Sequence, residues 1–182
     1  MRTFIALPVV SPEIKKGLET LVNQLVREKI KWVDPDHLHI TLQFIGDTPE
    51  PIVNNIIAAL DRLHFSRFAI QFTGLGYFKR GKFPKVLFVK TAPSKALQTL
   101  YTTVKGLIDP LTELPEDNRE YVPHLTLGRI KYVKDLDNFY RTVDELSSVF
   151  DTSLSIERVI FYQSILTSQG PIYKPLLIKE IK

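Results

Sequence analysis

The tetrapeptide His39-Ile40-Thr41-Leu42 recurs once along the chain, as His124-Leu125-Thr126-Leu127. The two copies lie 85 residues apart (124 minus 39), which is close to half of the 182-residue length. Each copy falls in a segment of alternating polarity, and such a segment predicts a strand. Because strand side chains alternate between faces, each histidine shares a face with the threonine two positions later, and the aliphatic residues face a core. A pseudo-twofold arrangement of two lobes would bring both His/Thr pairs to one cleft.

Strands and helices alternate on both sides of these motifs. Period-two patterns predict strands over 2–8, 31–33, 38–45, 67–78, 85–91, 124–130, 154–163 and 173–180. Helical spacing of apolar residues predicts helices over 12–28, around 52–60, after the capping residue Ser94, and around 136–143. The polar segment 109–120 predicts a loop. No Gly/Ser-rich linker divides the chain, so the sequence predicts a single domain over residues 1–182.

Histidine is the side chain best suited to acid–base chemistry in this composition. The chain has four histidines, no cysteine and a formal charge of +4. The absence of cysteine excludes disulfide scaffolds, cysteine-ligated zinc sites, iron–sulfur clusters and cysteine nucleophiles. The mild positive charge permits a polyanionic partner. No apolar stretch approaches the roughly 20 residues of a membrane span, and the N-terminus lacks signal-peptide features, so we expect a soluble cytoplasmic protein without membrane contacts.

Two imidazoles facing each other across a cleft can act as general base and general acid in one displacement. Hydroxyl groups beside them can donate hydrogen bonds to the nonbridging oxygens of a phosphate. A strained 2′,3′-cyclic phosphate would need no metal to activate its leaving group, so we expect no metal or cofactor. A zinc site through His37 and His39 is an alternative that leaves the paired threonines unexplained. His37 and His64 lack a following threonine and are assigned to the rim or surface.

The two His-x-Thr-x tetrapeptides, with hydrophobic residues at x, resemble the signature of the 2H phosphoesterases. The flanking segments are more specifically similar to the LigT/ThpR-like branch, the RNA 2′,3′-cyclic phosphodiesterases historically called 2′-5′ RNA ligases. The resembling segments, which span nearly the whole chain, are 2–7, 32–33, 37–47, 124–129, 163–166, Gly170 and Tyr173. The resemblance implies a LigT-like α+β fold, bilobal and duplicated, with two antiparallel sheets lining a central cleft and helices on the outside.

The resemblance also implies roles for the motif residues. His39 would be the proton donor to the leaving ribose oxygen, and His124 would be the proton acceptor that activates water. Thr41 and Thr126 would hold the phosphoryl oxygens, and the product would be a 2′-phosphate. One histidine must be neutral and the other cationic, so activity should peak between their two pKa values. The residues alone leave open which histidine is the acid.

Four further residues are candidates for substrate binding. Arg129 follows the second motif and could reach the phosphate, although regular strand alternation would place it on the opposite face from His124. Lys82 lies in the basic segment 79–85, which could contact RNA phosphates or simply be a solvated hairpin loop. Phe44 and Tyr121 lie next to the motifs and could stack on a nucleobase, although strand alternation favours a core role for Phe44.

We expect a monomer acting on RNA with a 2′,3′-cyclic phosphate end, tRNA fragments included, or on a nucleotide. Three alternatives stay open at this point. The same acid and base could run the reverse reaction, a 2′-5′ ligation. The substrate could be a non-RNA cyclic phosphodiester. The cleft could also bind nucleic acid without turnover, although binding alone would be served equally well by lysine or arginine.

Overall fold

The computed structural model describes residues 1–112, 114, 120–168 and 170–182. The strands in these residues are β1 (Arg2–Pro8), β2 (Lys29–Trp32), β3 (His39–Asp47), β4 (Phe68–Arg80), β5 (Phe83–Thr91), β6 (His124–Tyr132), β7 (Ser153–Ile156), β8 (Arg158–Thr167) and β9 (Gly170–Glu180). The α-helices are α1 (Pro12–Gln24), α2 (Glu50–Asp61), α3 (Lys95–Ile108) and α4 (Leu136–Leu146). Short 3-10 turns cover Pro35–His37, Asp109–Leu111 and Ser147–Phe150.

Side-chain caps fix where three of the helices begin. The Ser11 hydroxyl accepts a hydrogen bond from the Ile14 amide at 3.3 Å, and Pro12 occupies the first turn of α1. Ser94 caps α3 in the same way, through the Leu97 amide at 3.2 Å. Asp135 caps α4 with its carboxylate. The predicted start after Ser94 is therefore confirmed, and each cap satisfies an amide that would otherwise lack a partner.

The strands form one antiparallel path in the order β7-β4-β5-β6-β3-β1-β8-β9, with β2 added to β6. Strands β3, β1, β8 and β9 make one lobe, and β6, β5, β4 and β7 make the other. Within the strand path of the described residues, the two halves meet where β3 pairs with β6, at Ile40↔Leu125. The two predicted sheets are thus the two halves of one continuous path, and the predicted α+β class is confirmed.

The helices cross between the lobes. Helix α1 follows β1 in the chain, yet it packs against α4 and the 3-10 turn at 147–150 beside the other lobe. Helix α3 follows β5, yet it packs against α2 and β3. Buried aliphatic faces of all four helices join the sheet in a common hydrophobic core. None of the helices in the described residues is both long and apolar enough to cross a membrane.

Three differences between the predicted and the observed elements have a clear structural cause. The single strand predicted over 154–163 is wrong, because the chain breaks at Glu157 into β7, which pairs with β4, and β8, which pairs with β1. Helix α1 ends at Gln24 rather than 28 because the following residues turn to place β2 beside β6. The predicted basic loop is a tight turn at Gly81 and Lys82, since β4 and β5 continue almost to the hairpin end. The predicted loop over 109–120 lies partly outside the described residues.

Gly128 lets β2 pack closely against β6. It pairs with Trp32, and a Cβ atom added at Gly128 would lie 2.7 Å from the Ile30 Cγ2 atom and 3.0 Å from the Trp32 ring. Both neighbours are confined, so a side chain here must displace β2. Because Lys31 and Trp32 reach the cleft from β2, this contact supports the site as well as the fold.

We expect the substitution Gly128→Ala to lower the free energy of unfolding by about 1–3 kcal/mol, the usual cost of overpacking a filled core. The matched control is Gly106→Ala in α3, where an added Cβ would meet nothing within 4 Å. That change should stabilise the protein by about 0.5–1 kcal/mol, since alanine is the better helix former. Urea denaturation of both variants tests the pair, and a neutral Gly128→Ala would show that β2 is not held as described.

Candidate active site

The pair Ile40↔Leu125 sets the geometry of the two motifs. In the antiparallel register fixed by this pair, His39 lies opposite Thr126 and Thr41 lies opposite His124. The two aliphatic residues face the core and are fully buried. The four polar side chains therefore share the other face, and the two histidines lie on a diagonal with Cα atoms about 7–8 Å apart. This register therefore places both His/Thr pairs side by side on one face of the described strands.

Both motif histidines are oriented by the same local hydrogen bond. The Nδ1 atom of His39 lies 2.7 Å from the His37 carbonyl, and Nδ1 of His124 lies 2.8 Å from the Val122 carbonyl. A carbonyl only accepts, so each Nδ1 carries hydrogen and donates it. Only Nε2 then remains to give or take a proton. The same contact holds the exposed His64, so it orients an imidazole without marking it as functional.

Two β-bulges at equivalent positions bring further side chains onto this face. In β3, Leu42 has no partner residue in β1. In β6, Leu127 has no partner residue in β5. Each bulge places two successive residues toward the core and reverses the alternation beyond it. Phe44 and Arg129 therefore share the face of the histidines, contrary to the alternation expected from sequence. Phe44 is 52% exposed, which excludes the core role that alternation favoured.

A cavity of about 670 Å³ lies against the His39 side of this face. Its lining includes His39, Thr41, Phe44 and Arg129, so four predicted site residues meet at one cavity. His124 and Thr126 lie outside this lining, on the neighbouring strand β6. The opposite walls come from β2 and from the β8–β9 hairpin.

Aromatic side chains enclose both imidazoles. The His39 ring lies 5.1 Å from the Phe4 ring and meets Tyr173 edge-on at 5.4 Å. The His124 ring meets Phe78 edge-on at 4.9 Å and lies 5.3 Å from Phe88. These contacts restrict ring rotation and exclude water from one side of each histidine.

Burial lowers the pKa of His39 from its ordinary value of 6.5. The hydrogen bond to the His37 carbonyl raises it in part, and the nearby imidazoles of His37 and His124 lower it further. The cleft therefore favours neutral His39 when no anion is bound. A phosphate anion beside the ring would act in the opposite direction and favour the cation.

Two predicted substrate contacts do not lie in the cavity. The Tyr121 ring stacks on Tyr101 with centroids 3.8 Å apart, and its hydroxyl donates to the Thr41 carbonyl at 2.9 Å. These contacts give Tyr121 a role in holding β3, and burial raises its pKa. Lys82 is exposed in the β4–β5 turn, outside the cavity lining.

Sequence reasoning did not identify Arg2, Lys31 or Tyr173 as site residues, although all three line the cavity. The Arg2 guanidinium lies over the Phe44 ring at 4.9 Å. Burial raises the pKa of Tyr173, and the nearby Arg129 and Arg2 partly offset this. These residues come from strands distant in sequence. A signal did exist for the two bulged positions, since the 85-residue offset that relates the histidines also relates Phe44 to Arg129 (129 minus 44).

The described residues contain no group of three or more His, Cys, Asp or Glu side chains placed to hold a metal ion. In particular, no third ligand joins His37 and His39. The zinc alternative therefore gains no support from the geometry of the described chain. The expectation that catalysis needs no metal stays a prediction.

Comparison with known proteins places this arrangement among phosphoesterases. The family model for LigT-like phosphoesterases matches residues 7–88, which include the first motif. A curated RNA 2′,3′-cyclic phosphodiesterase of Aeropyrum pernix is 36% identical, over 81% of this chain and 84% of its own. One of Thermotoga maritima is 31% identical, over 97% and 93%.

Solved structures share the fold. A Thermus thermophilus protein superposes with a TM-score of 0.82 and 24% identity, over 99% of this chain and 97% of its own. The Escherichia coli LigT complexed with 3′-AMP gives a TM-score of 0.80 with 18% identity, over the same shares of the two chains. These likenesses bear out the predicted LigT-like fold.

We expect His39 to titrate below pH 6.5 in the free protein. Because folding lowers the pKa of His39, the unfolded chain binds a proton at this ring more readily than the folded chain does. The free energy of unfolding should therefore decrease as the pH falls from 6.5 through the pKa of the folded state. Proton NMR of the imidazole Cε1–H, assigned by its loss in His39→Gln, gives the midpoint. A midpoint at or above 6.5 would contradict the effect of burial.

Proposed function

This chain belongs to the LigT-like phosphoesterase family, and from that premise we propose that it hydrolyses RNA 2′,3′-cyclic phosphate ends to 2′-phosphates. The observation that carries the proposal is the Ile40↔Leu125 register, which gathers two imidazoles and two hydroxyls on one face. The names of the curated relatives supply the substrate class. The cations around the cavity fit the negative charge of such a substrate.

The reaction needs a proton acceptor and a proton donor on opposite sides of the phosphorus. Neutral His124 takes a proton from water at Nε2, and the water oxygen forms a bond to phosphorus. The bond from phosphorus to O3′ breaks, and cationic His39 gives its Nε2 proton to that oxygen. The products are a 2′-phosphate and a free 3′-hydroxyl. Solvent then returns the two histidines to their starting states.

The threonines stabilise charge during this displacement. Thr41 and Thr126 lie diagonally to each other, between the two imidazoles, and their hydroxyls can donate to the two nonbridging oxygens. Arg129, which the bulge at Leu127 turns to this face, can add its positive charge. Phe44 offers an exposed ring at the cavity wall for the nucleobase.

The lowered pKa of His39 bears on its role as donor. In the free protein the neutral form predominates at neutral pH, so binding of the phosphodiester anion must help to protonate the ring. A group with a lowered pKa also gives up its proton more readily once the leaving oxygen develops charge. The donor role assigned to His39 rests on the family resemblance.

A leaving-group test separates the donor from the acceptor. We expect His39→Ala and His124→Ala each to reduce hydrolysis of a cyclic-phosphate RNA about 10²–10⁴-fold, the range lost with a general acid or base. With a p-nitrophenyl phosphodiester, whose leaving group departs without protonation, His39→Ala should recover most of its activity while His124→Ala should not. The reverse pattern would exchange the two roles. Full activity of both variants on RNA would overturn the site.

The threonine role is tested by hydroxyl deletion. We expect Thr41→Val and Thr126→Val to lower kcat about 10²-fold, the scale of losing one donor to a developing charge. Valine preserves the branched shape, so the strands should fold unchanged. Thr41→Ser and Thr126→Ser keep the hydroxyl and serve as matched controls that retain most of the activity. Equal losses in the valine and serine variants would point to packing instead.

Product analysis completes the test of the proposed function. A defined RNA ending in a 2′,3′-cyclic phosphate should yield a 2′-phosphate end. Supplying a second RNA with a 5′-hydroxyl would reveal the reverse 2′-5′ ligation through the same acid and base. A 3′-phosphate product would contradict the assignment of O3′ as the leaving oxygen.

A further inference from the structure

Three cationic side chains line the cavity without an ion-pair partner among the described residues. They are Arg2, Lys31 and Arg129, and each is exposed. In the described part of the chain, the ion pairs involve other cations, at Arg67, Lys105 and Lys179. Exposed single cations are ordinary, but three that converge on one concave surface create a positive potential there.

The one acidic side chain that the described residues place in the lining is already engaged. Asp34 uses a carboxylate oxygen to accept the Asp36 amide at 2.9 Å, which caps the 3-10 turn before β3. The carboxylate keeps its charge in this hydrogen bond, so the described lining sets one negative charge against three positive ones and lacks the remaining counter-charge. An anionic ligand would supply it.

A second basic groove differs from this cavity because its main cations are paired with carboxylates of the protein. The groove beside β9 is lined by Arg67, Lys179 and Lys182 and is also roomy, at about 760 Å³. There Arg67 pairs with Glu157 at 3.5 Å, and Lys179 pairs with Asp61 at 3.7 Å. Its main cations are thus compensated by the protein itself, whereas those of the cavity beside His39 have no such partner in the described ranges.

The three cations differ in their relation to the reacting phosphate. Arg129 lies on β6 with His124 and Thr126, on the same face, and belongs with that phosphate. Arg2 comes from β1, where its guanidinium lies 4.9 Å from the Phe44 ring, and Lys31 comes from β2, where it pairs directly with Arg129 of β6. Neither belongs to a motif strand. The cavity also extends past Tyr173 to Leu166 and Gly170 near the end of the β8–β9 hairpin, so its volume continues beyond the motif residues.

Resting on the proposed function, we propose that Arg2 and Lys31 form a second anion subsite that binds the 5′-phosphoryl group of the terminal nucleotide. A cavity of about 670 Å³ falls within the size range of small-ligand pockets and has room for a nucleotide beyond its reacting phosphate. The 5′-phosphoryl group is the nearest further anion that such a substrate carries. It is a diester in RNA and a monoester in a free nucleotide, and both present the same charged oxygens to guanidinium and ammonium groups.

The subsite predicts a preference for substrates that carry this group. Three compounds test it: adenosine 2′,3′-cyclic phosphate, its 5′-monophosphate, and the dinucleotide ApA ending in a 2′,3′-cyclic phosphate. We expect kcat/KM to be about tenfold or more higher for the two 5′-phosphorylated compounds, since charge-assisted hydrogen bonds are the stronger ones. The advantage should shrink at high salt, because exposed charges are screened.

Variants assign the advantage to the two cations. Arg2→Gln and Lys31→Gln should each lower kcat/KM for the 5′-phosphorylated compounds several-fold more than for adenosine 2′,3′-cyclic phosphate. Arg2→Lys should keep most of the advantage if charge is what matters. Arg62→Gln and Lys95→Gln, which alter exposed cations just after α2 and at the start of α3, both outside the cavity, are matched controls and should change neither rate.

The outcomes separate this inference from the proposed function. If all three compounds are hydrolysed equally, or if the advantage survives both Gln variants, the subsite is overturned and the phosphodiesterase proposal stands. If none is hydrolysed, the proposed function itself fails. An advantage for both phosphorylated compounds supports a subsite for the phosphoryl group from either source. An advantage for ApA alone that the Gln variants remove supports the RNA source.

Discussion

The antiparallel contact of β3 and β6 at Ile40 and Leu125 is the constraint on which the site depends. Burial of these two aliphatic side chains holds the strands in register. Because side chains alternate, the same register delivers two histidines and two threonines to the opposite face. A slip by one residue would turn the two histidines and two threonines toward the core and the aliphatic residues toward water. The hydrophobic core therefore specifies the spacing of the two histidines.

The duplicated bulges extend this arrangement beyond the tetrapeptides. Leu42 and Leu127 are the unpaired residues of the two bulges, and both are buried. The side chains two positions later, Phe44 and Arg129, are therefore directed toward the cleft. One lobe thus contributes an aromatic surface and the other contributes a cation at the equivalent position. The two lobes therefore share a backbone arrangement, but they present different side chains to the cleft.

The environment of His39 joins stability to function. Aromatic neighbours and burial disfavour its cation, which costs stability at acidic pH. In the proposed reaction, the same low-polarity surroundings would strengthen the attraction between the His39 cation and the substrate phosphate, because charges attract more strongly away from water. The cations that line the cavity favour binding of that anion. The site is accordingly arranged for a negatively charged ligand that completes its charge balance.

The sequence by itself determined the motif strands, the capped helix starts, the pairing of His39 with Thr41 and of His124 with Thr126, and the family. Each of these depends on local periodicity, on side chains that cap nearby amides, or on a repeat that can be read along the chain. The break at Glu157, the bulges, the stacking of Tyr121 on Tyr101 and the positions of Arg2, Lys31 and Tyr173 were decided only by the tertiary structure. They depend on which strands become neighbours, and a bulge exists only relative to a partner strand. Local alternation therefore placed Phe44 and Arg129 on the wrong face, and pairing with β1 and β5 brought them to the cleft.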